Sequence, residues 1–465
     1  MIYDLSAFAA LRCGRRFPLF LALFLATGTL LATAQPAGTN SLPIDLPTVL
    51  RLAGAQNLDV QIARERLNEA QASRETALEQ FIPSLTPGIT FHRRDGMAQA
   101  VPAGTVSDTH LQSYAPGATL AAQLTLGDAI YQSLAAKQLV KASDQAFAAQ
   151  RQDSALNAAQ DYYDLLKASA IVGVLQEAVG ISSNYGQQLH EAVGAGIAFK
   201  GDELRVQTQT EHDQIALRQA LEQQRIAAVN LSQVLHLDST VNLVPLDADL
   251  VPLWLFPTNA ALDSLVQQAL NSRPELKASQ ALVSASRDAK NGAVYGPLVP
   301  SIGAQVFAGG LGGGHDGQPG NFGDSEDYLI GAGWRIGPGG LFDFGRIKAN
   351  KARLAATQLG QTKLQDAVIA QVVAAATRVQ SLSDQINLAR RNLATANEAF
   401  RLTRERKQYG VGVVLEDIQA QQALTQARSD YATTVAEHDK AQYELNKAVG
   451  GLPMANSSDE SPRPK

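Results

Sequence analysis

Cysteine is almost absent from this chain, because Cys13 is the only one in 465 residues. Cys13 precedes an apolar run at 17–32, so the rest of the chain has no thiol for a disulfide, a thiolate metal site or a nucleophile. The seven histidines are scattered and show neither a His-Glu-x-x-His motif nor paired metal spacing. We therefore predict no metal site and no cofactor.

Long hydrophobic runs are missing beyond the N-terminus. After residue 34 no stretch of about 18 or more apolar residues occurs, so no transmembrane helix is predicted there. A mature chain of this kind that crosses a membrane must do so with β-strands. The net charge of −5 shows no basic excess, so no nucleic-acid partner is indicated.

The N-terminus has the order of a secretory signal. Arg12, Arg15 and Arg16 precede the apolar run at 17–32, and small residues follow at 32–34. This order predicts a cleavable signal peptide at 1–34, without a cysteine that could carry a lipid anchor. The alternative is an uncleaved membrane anchor, but the run is barely long enough to span a bilayer and is interrupted at 27–29.

Four segments of alternating hydrophobicity predict β-strands, at about 87–95, 117–126, 300–309 and 327–337. In three of them the even-numbered residues are apolar, whereas odd-numbered positions include Thr119, Gln123 and Gln305. An apolar outer face and a polar lumen are typical of a membrane barrel. A half-buried sheet of a soluble domain gives the same pattern. Polar loops are predicted at 94–113 and 309–326.

Each predicted strand pair runs into a very long helical segment, at 128–196 and 343–410. Each would be about 100 Å long at 1.5 Å per residue. The second strand-to-helix junction contains Leu341, Phe342, Asp343 and Gly345, and Asp128 marks its degenerate copy. Glycines at 196 and 410 correspond at an offset of 214 residues. The chain therefore reads as a tandem duplication.

The duplication gives a plan of domains. A lead at 35–44 precedes a first repeat at 45–237, an equatorial connector at 238–258, a second repeat at 259–449 and a flexible tail at 450–465. Each repeat reads helix, strand, strand, long helix, helix, so the fold class is mainly α with a β-barrel part. Four strands cannot close a barrel, so a sheet in a membrane must be shared by several chains.

These motifs resemble the TolC-type outer-membrane efflux proteins over about 42–452. The junction at 334–346, the Pro-Ser pairs at 83–84 and 300–301, the segment at 159–163 and the segment at 409–421 carry the resemblance. It implies a homotrimer with a twelve-stranded outer-membrane barrel on a long periplasmic α-helical barrel. It also implies a passive exit duct, not an enzyme, that docks to a periplasmic adaptor and an inner-membrane pump, in an efflux or type I secretion system.

The resemblance implies a gate of acidic residues at the periplasmic tip. By position, Asp202 resembles a gate-linking acid and Glu416 the first member of an acidic ring, with Asp417 beside it. Gln419 stands where the second ring acid is expected. The alternative for Asp202 and Glu416 is a helix-capping or first-turn acid favoured by the helix dipole.

The family's linking arginine is absent, because Gly412 stands in its place. Arg404, Arg406 or Lys407 could replace it from one turn away.

The tip glycines have a simple conformational explanation. Gly196 and Gly410 fall where a helix hairpin reverses, which favours a residue that tolerates positive φ. We predict that 194–204 and 408–418, including Tyr409 and Gly412, contact the adaptor.

Two other classes of protein fit the sequence less well. The glycine-rich segment at 309–323 lacks Gly-Lys-Ser/Thr and leads into no helix, which argues against a phosphate loop and an enzyme. A periplasmic coiled-coil scaffold or adaptor is the main alternative, but it would need a β-rich body flanking one helical hairpin.

Overall fold

The computed structural model describes residues 41–99, 104–247, 250–257, 261–315, 320–408 and 413–451. The predicted signal peptide, most of the lead, and the tail from 452 lie outside these residues. So do three of the predicted tip residues, Tyr409, Gly410 and Gly412.

The first half of the chain contains the following elements in order: β1 (Ser41–Ile44), α1 (Leu46–Gln56), α2 (Leu58–Glu79), β2 (Ser84–Gln99), β3 (Val106–Leu124), α3 (Leu126–Gly194), α4 (Lys200–Val234) and β4 (Asn242–Pro245). The second half repeats the pattern: α5 (Leu262–Ser272), α6 (Pro274–Tyr295), β5 (Ser301–His315), β6 (Asn321–Gly333), α7 (Phe344–Gln408) and α8 (Val414–Ala448). A short 3₁₀ turn, Gly296–Leu298, leads into β5. The fold is therefore mainly helical.

The shorter helices of each repeat stack end to end beside the long helix. At the stacking point of the first repeat, the Asn57 side-chain amide donates to the carbonyl oxygen of Val234, 2.8 Å away. In the second repeat the Ser272 hydroxyl donates to the carbonyl oxygen of Val449 at 2.6 Å. In each of these two hydrogen bonds the donor and acceptor residues are 177 positions apart in sequence. The two repeats therefore share this contact as well as their order of elements.

The hydrophobic core consists of clusters along the helical part. The largest surrounds Tyr162 and Leu165 of α3 and includes Leu231 of α4 and Leu243 of β4. A second cluster joins α5, α7 and α8 around Val372 and Leu445. Both clusters lie beside the helix-stacking points, where side chains from three or more elements converge.

The segments predicted as a lead and a connector each contain a short strand that was not predicted. The lead ends in β1 and the connector contains β4, and these two strands pair in parallel. Their signal in the sequence is weak because each strand has only four residues and each contains a proline. Their backbone groups are satisfied by each other across 201 residues of sequence, which local patterns do not reveal.

The other four strands form one antiparallel sheet in the order β2-β3-β5-β6. All four extend further from the helices than predicted, and most of the predicted loop residues at 94–113 and 309–326 belong to strands. The hairpins continue because backbone pairing satisfies the N–H and C=O groups even where side chains are polar or absent. The predicted ends of β3 and β6 nearest the helices are too long, since α3 begins at Leu126 and β6 ends at Gly333.

Helix α3 also contains an 18-residue stretch that is apolar enough, by length and composition alone, to cross a membrane. No such segment was predicted from the sequence. About a third of the stretch, 33%, is buried within a single copy of the chain. The helix packs against α2, α4, α6 and α8, so its apolar residues have partners within the helical part.

Candidate functional site

The sheet has one strongly apolar face. The register aligns odd-numbered residues of β2 with even-numbered residues of β3, β5 and β6. This explains why the predicted alternation had opposite parity in one strand. The face carries the following apolar side chains: Leu85, Ile89, Phe91, Leu120, Leu124, Ile302, Val306, Tyr328 and Ile330. The opposite face carries Thr86, Thr90, Thr119, Gln123 and Gln305.

Aromatic side chains cross the apolar face in a row. Tyr114 of β3 pairs with Gly312 of β5, and Gly312 pairs with Phe322 of β6. The rings of Tyr114 and Phe322 stack at 5.9 Å over the glycine-rich strand between them. A Cβ atom on Gly312 would lie 2.4 Å from the Tyr114 ring, so glycine is required for this contact. Phe91 continues the row on β2.

The strand-to-helix junction is held by Asp343. Its carboxylate accepts hydrogen bonds from the backbone N–H groups of Arg346 at 3.0 Å and Gly339 at 2.9 Å. These bonds, the first to Arg346, lower the pKa of Asp343. The carboxylate thereby caps α7, whose first N–H groups have no partner within the helix.

The remaining junction residues shape the turn before α7. Phe342 has a positive φ of 68°, which is uncommon for a bulky residue. Leu341 donates its N–H to the carbonyl of Arg335, closing the Gly-Pro-Gly-Gly segment. Gly345 lies in the first turn of α7.

Asp128 connects the two repeats. Its carboxylate forms an ion pair with Arg346 of α7, in which Nη1 of Arg346 lies 3.2 Å from Oδ2 of Asp128. The neighbouring Gly127 lies against Gly296, because a Cβ atom on Gly127 would be 2.1 Å from the Gly296 carbonyl oxygen. Asp128 and Asp343 occupy equivalent positions but have different partners. The sequence predicted that Asp128 and Asp343 are equivalent. It did not predict the contact of Asp128 with Arg346 of the other repeat.

At the opposite end of the molecule, α3 and α4 form a hairpin that reverses at Gly196. Its φ is +73°. The Gly196 N–H bonds the carbonyl of Val193 at 3.0 Å, and the Ile197 N–H bonds that of Ala192 at 2.8 Å. This pair of bonds is the Schellman arrangement, which requires the left-handed conformation that glycine tolerates.

A small apolar cluster joins this hairpin to the one formed by α7 and α8. It contains Tyr185, Leu189, Val206 and Ile418. Asp417 is also buried. Burial of the Tyr185 hydroxyl, followed by the negative charge of Asp417, raises the pKa of Tyr185 to about 12. Asp417 thus faces the contact between hairpins, unlike the other two gate candidates on α8.

The other gate candidates reach the surface. Glu416 lies in the first turn of α8, and its Oε2 is 3.2 Å from Nη1 of Arg406 at the end of α7. Gln419, three residues further, is exposed. Asp202 lies in the first turn of α4 and pairs with Arg205 at 2.9 Å. Of the three candidate replacements for the linking arginine, Arg406 forms this pair.

One acid at the tip was missed in the sequence. Glu203 is buried, and its Oε1 is 2.9 Å from Nδ1 of His190 and 2.7 Å from Nζ of Lys200. These hydrogen bonds, the first from His190, lower the pKa of Glu203. The spacing of Lys200 and Glu203 on one helix could have indicated their ion pair from the sequence. The contact of Glu203 with His190 of α3 could not be predicted in this way.

The tip also exposes large apolar side chains. Ile197 is 83% exposed and Phe199 is 71% exposed. The Phe199 ring occupies the space where Gly201 would carry a side chain, since a Cβ atom there would be 2.4 Å from the ring. Leu204 and Val413 are exposed nearby, on either side of the contact between hairpins.

A buried polar cluster holds the connector to α8. The backbone N–H of Leu253 donates to Asp439 at 2.8 Å, and that of Phe256 donates to Gln442 at 3.2 Å. His438 is fully buried under the Trp254 ring, with centroids 4.6 Å apart. Burial raises the pKa of Asp439. This cluster was not predicted from the sequence, because its partners come from a segment without periodicity.

Within the described ranges, no group of three or more His, Cys, Asp or Glu side chains is arranged to hold a metal ion.

Comparison with known proteins agrees with this architecture. Residues 265–451 match the family model of the outer membrane efflux protein. The Campylobacter jejuni CmeC outer membrane channel has a TM-score of 0.74 at 16% identity, covering 88% of this chain and 87% of that one. No curated protein sequence matches the chain significantly.

Two further solved structures have the same fold. The Vibrio cholerae outer membrane protein VceC gives a TM-score of 0.71 at 15% identity, covering 87% of this chain and 96% of that one. A membrane protein from Pseudomonas aeruginosa gives 0.73 at 19% identity, covering 87% and 93%. The second half of the chain thus matches the outer membrane efflux protein family, and most of the chain has the fold of these solved outer-membrane proteins, in agreement with the resemblance seen in the sequence.

Proposed function

We propose that this chain forms a homotrimeric exit duct, in which three four-stranded sheets close a twelve-stranded barrel in the outer membrane. The observation that carries the proposal is a sheet with one apolar face, whose edge strands β2 and β6 each lack a second partner strand among the described residues. Open edges are not tolerated in hydrocarbon, so each edge needs a partner strand. Three copies supply these partners without leaving a free edge.

The dimensions of the apolar face support this position in a membrane. Along the central strand β3 this face is apolar from Tyr114 to Leu124, and Gln112 is the next residue on it towards the outside. Tyr114 and Leu124 are ten residues apart, or about 34 Å along a strand. A tilt of about 45° reduces this to roughly 24 Å, close to the apolar band of outer-membrane barrels.

We further propose that the helices form a periplasmic tunnel with its constriction at the tip. Helices α3 and α7 have 69 and 65 residues, which gives each a length of about 100 Å. Asp202, Glu416 and Gln419 lie at the far end from the sheet. Acidic side chains in a narrow passage favour cations, although Arg205 and Arg406 reduce the net charge here.

The proposed partners are a periplasmic adaptor and an inner-membrane pump, of an efflux or type I secretion system. The exposed apolar side chains of Ile197 and Phe199, with Leu204 nearby, support docking at the tip, because groups of exposed apolar side chains commonly mark interfaces. Export by the signal peptide at 1–34 would place this end in the periplasm. The adaptor contacts are then expected at 194–204 and 408–418.

The first experiment is the native mass of the mature protein extracted from outer membranes in mild detergent. We expect three chains per particle. A monomer, or a protein found only in the soluble periplasmic fraction, would contradict the duct and favour a periplasmic scaffold.

The second experiment tests the constriction by ion selectivity in planar bilayers. We expect Glu416→Ala and Asp202→Ala to reduce the preference for cations, because each removes an acid and leaves an arginine unpaired. Arg406→Ala should shift the reversal potential in the opposite direction. Glu405→Ala is the control, since Glu405 forms an exposed pair with Arg401 within α7. Unchanged selectivity in all four variants would exclude these acids from the constriction.

A further inference from the structure

The two open edges of the sheet carry opposite charges. Strand β2 contains His92, Arg93 and Arg94 and a single acid, Asp95, whereas β6 contains three acids, Asp324, Glu326 and Asp327, and no basic residue. The register places Arg93 on the apolar face together with Asp324 and Glu326. His92, Arg94 and Asp327 lie on the opposite face.

On the apolar face, the change from apolar to charged side chains falls at a defined residue of each edge. On β2 the apolar residues end with Phe91, and the next residue on that face is Arg93. On β6 they end with Tyr328, and the next residue on that face is Glu326. Arg93 and Glu326 are therefore the first charged groups beyond the apolar band on their respective strands.

These two positions do not share a row within one copy. Glu326 pairs with Ala308, Ala308 with Ala118, and Ala118 with Pro87, which lies six residues from Arg93 along β2. The boundary of the apolar band thus runs obliquely across the rows of paired residues. A membrane surface crosses a tilted sheet in this oblique way.

The size of this offset agrees with barrel geometry. Four strand spacings cover about 19 Å, and a tilt of 35–45° displaces the rows by roughly four to six residues over that width. Three equivalent copies lie at the same height in the membrane. The boundary residue of β2 in one copy must then lie beside the boundary residue of β6 in the next.

We propose that Arg93 of one copy forms an ion pair with Glu326 of the neighbouring copy, where β2 meets β6. This inference rests on the proposed trimer. Within one copy Arg93 already contacts Asp95, with Nε and Oδ2 2.8 Å apart, and Glu326 accepts a hydrogen bond from the Tyr328 hydroxyl at 2.8 Å. Both groups remain exposed on the outer face, so each can accept a further partner.

The ion pair would determine the register of the seam. A slip of two residues towards the helices would place Arg93 beside Tyr328 and move its charge into the apolar band. A slip of one residue would turn the apolar side chains of one edge towards the lumen. Asp324, two residues further from the helices, adds negative charge on the same side.

Paired cysteines test the seam directly. In a Cys13→Ser background, Arg93→Cys combined with Glu326→Cys should give disulfide-linked trimers on oxidation, because directly opposed residues bring their Cβ atoms within bonding range. Arg93→Cys with Tyr328→Cys is a control displaced by one step on the same face. Arg94→Cys with Glu326→Cys places the thiols on opposite faces. Both controls should remain unlinked.

Charge exchange tests whether the pair stabilises the assembly. We expect Arg93→Glu or Glu326→Arg to shorten the half-life of the trimer in detergent by about tenfold, since each places like charges at three seams. The combined exchange should restore much of the loss. A native trimer that links only through Tyr328→Cys, or shows no restoration, would overturn the ion pair. A monomeric native mass would overturn the trimer itself, and the seam with it.

Discussion

Gly196 shows how a single residue fixes the end of a helix more than 60 residues long. The sequence predicted a positive φ from the position of this glycine between two helical segments, and the structure has a φ of +73° there. The prediction succeeded because the required conformation is local and few residues tolerate it. The ion pair between Arg406 and Glu416 is local as well, yet three cations were possible partners and only the structure distinguishes them.

We expect Gly196→Ala to weaken the hairpin by about 1–2 kcal/mol, because a Cβ atom is strained in the left-handed region. Hydrogen exchange of the backbone amides at 196 and 197 measures the effect, since both donate the bonds that close the turn. Gly194→Ala is the matched control two residues away. Gly194 is helical, and no atom lies within 4 Å of its Cβ position.

The control should leave exchange unchanged or slow it, because alanine is favoured over glycine in a helix. Equal destabilisation by Gly196→Ala and Gly194→Ala would mean that the turn needs the flexibility of glycine at either position. The conformation of Gly196 would then not be the cause.

At the scale of elements, Asn57 joins two helices that are distant in sequence. Its Oδ1 accepts the N–H groups of Asp59 at 2.9 Å and Val60 at 3.3 Å, capping α2. Its side-chain amide donates to the last turn of α4 through the Val234 carbonyl. One buried side chain thus satisfies both orphan donors and an orphan acceptor.

We expect Asn57→Ala to destabilise the start of α2 by about 1–2 kcal/mol, since it removes the cap as well as the bond to α4. Asn57→Asp separates the two contributions. Aspartate keeps the acceptor for the α2 amides but cannot donate to Val234. Exchange of the amides at 59 and 60 should be protected in the aspartate variant and exposed in the alanine variant. Similar exchange in both variants would assign the stability to the α4 bond alone.

The strands show which features of an element can be predicted from the sequence and which cannot. Alternation identified all four, because apolar and polar faces differ strongly near the helices. Beyond Phe91 and Val306 the alternation disappears into charged or glycine-rich residues, so the predicted strands ended too early. Pairing with a neighbouring strand is what continues them, and a partner strand is not visible in a local window.

At the scale of the whole molecule, the two repeats together build one sheet and one set of helices. Strands β3 and β5 come from different repeats and pair at the centre, which leaves the first strand of one repeat and the second of the other as edges. Duplication could be inferred from sequence offsets, but the pairing of β3 with β5 could not. It follows from the side-by-side packing of α3 with α6 and α6 with α7, which brings the hairpins together.

The assignment of the apolar face to lipid can be tested with two adjacent residues of β6. Ile330 is 80% exposed in a single copy and lies on the apolar face, whereas Leu329 is 63% exposed and lies on the polar face. Both are aliphatic, and both occupy the same strand at the same height. Exposure in one chain therefore does not distinguish them, and only the proposed barrel does.

We expect Ile330→Arg to reduce the folded trimer recovered from outer membranes, because a lipid-facing arginine costs roughly 2–4 kcal/mol near the middle of the bilayer. Leu329→Arg should assemble nearly as well as the unmodified protein, since its side chain would enter a wet lumen. The measurement is the yield of heat-sensitive trimer in membrane fractions at equal expression. If Leu329→Arg fails and Ile330→Arg assembles, the faces are reversed. If both assemble fully, this sheet does not contact lipid, because a soluble sheet with solvent on both faces would tolerate either charge.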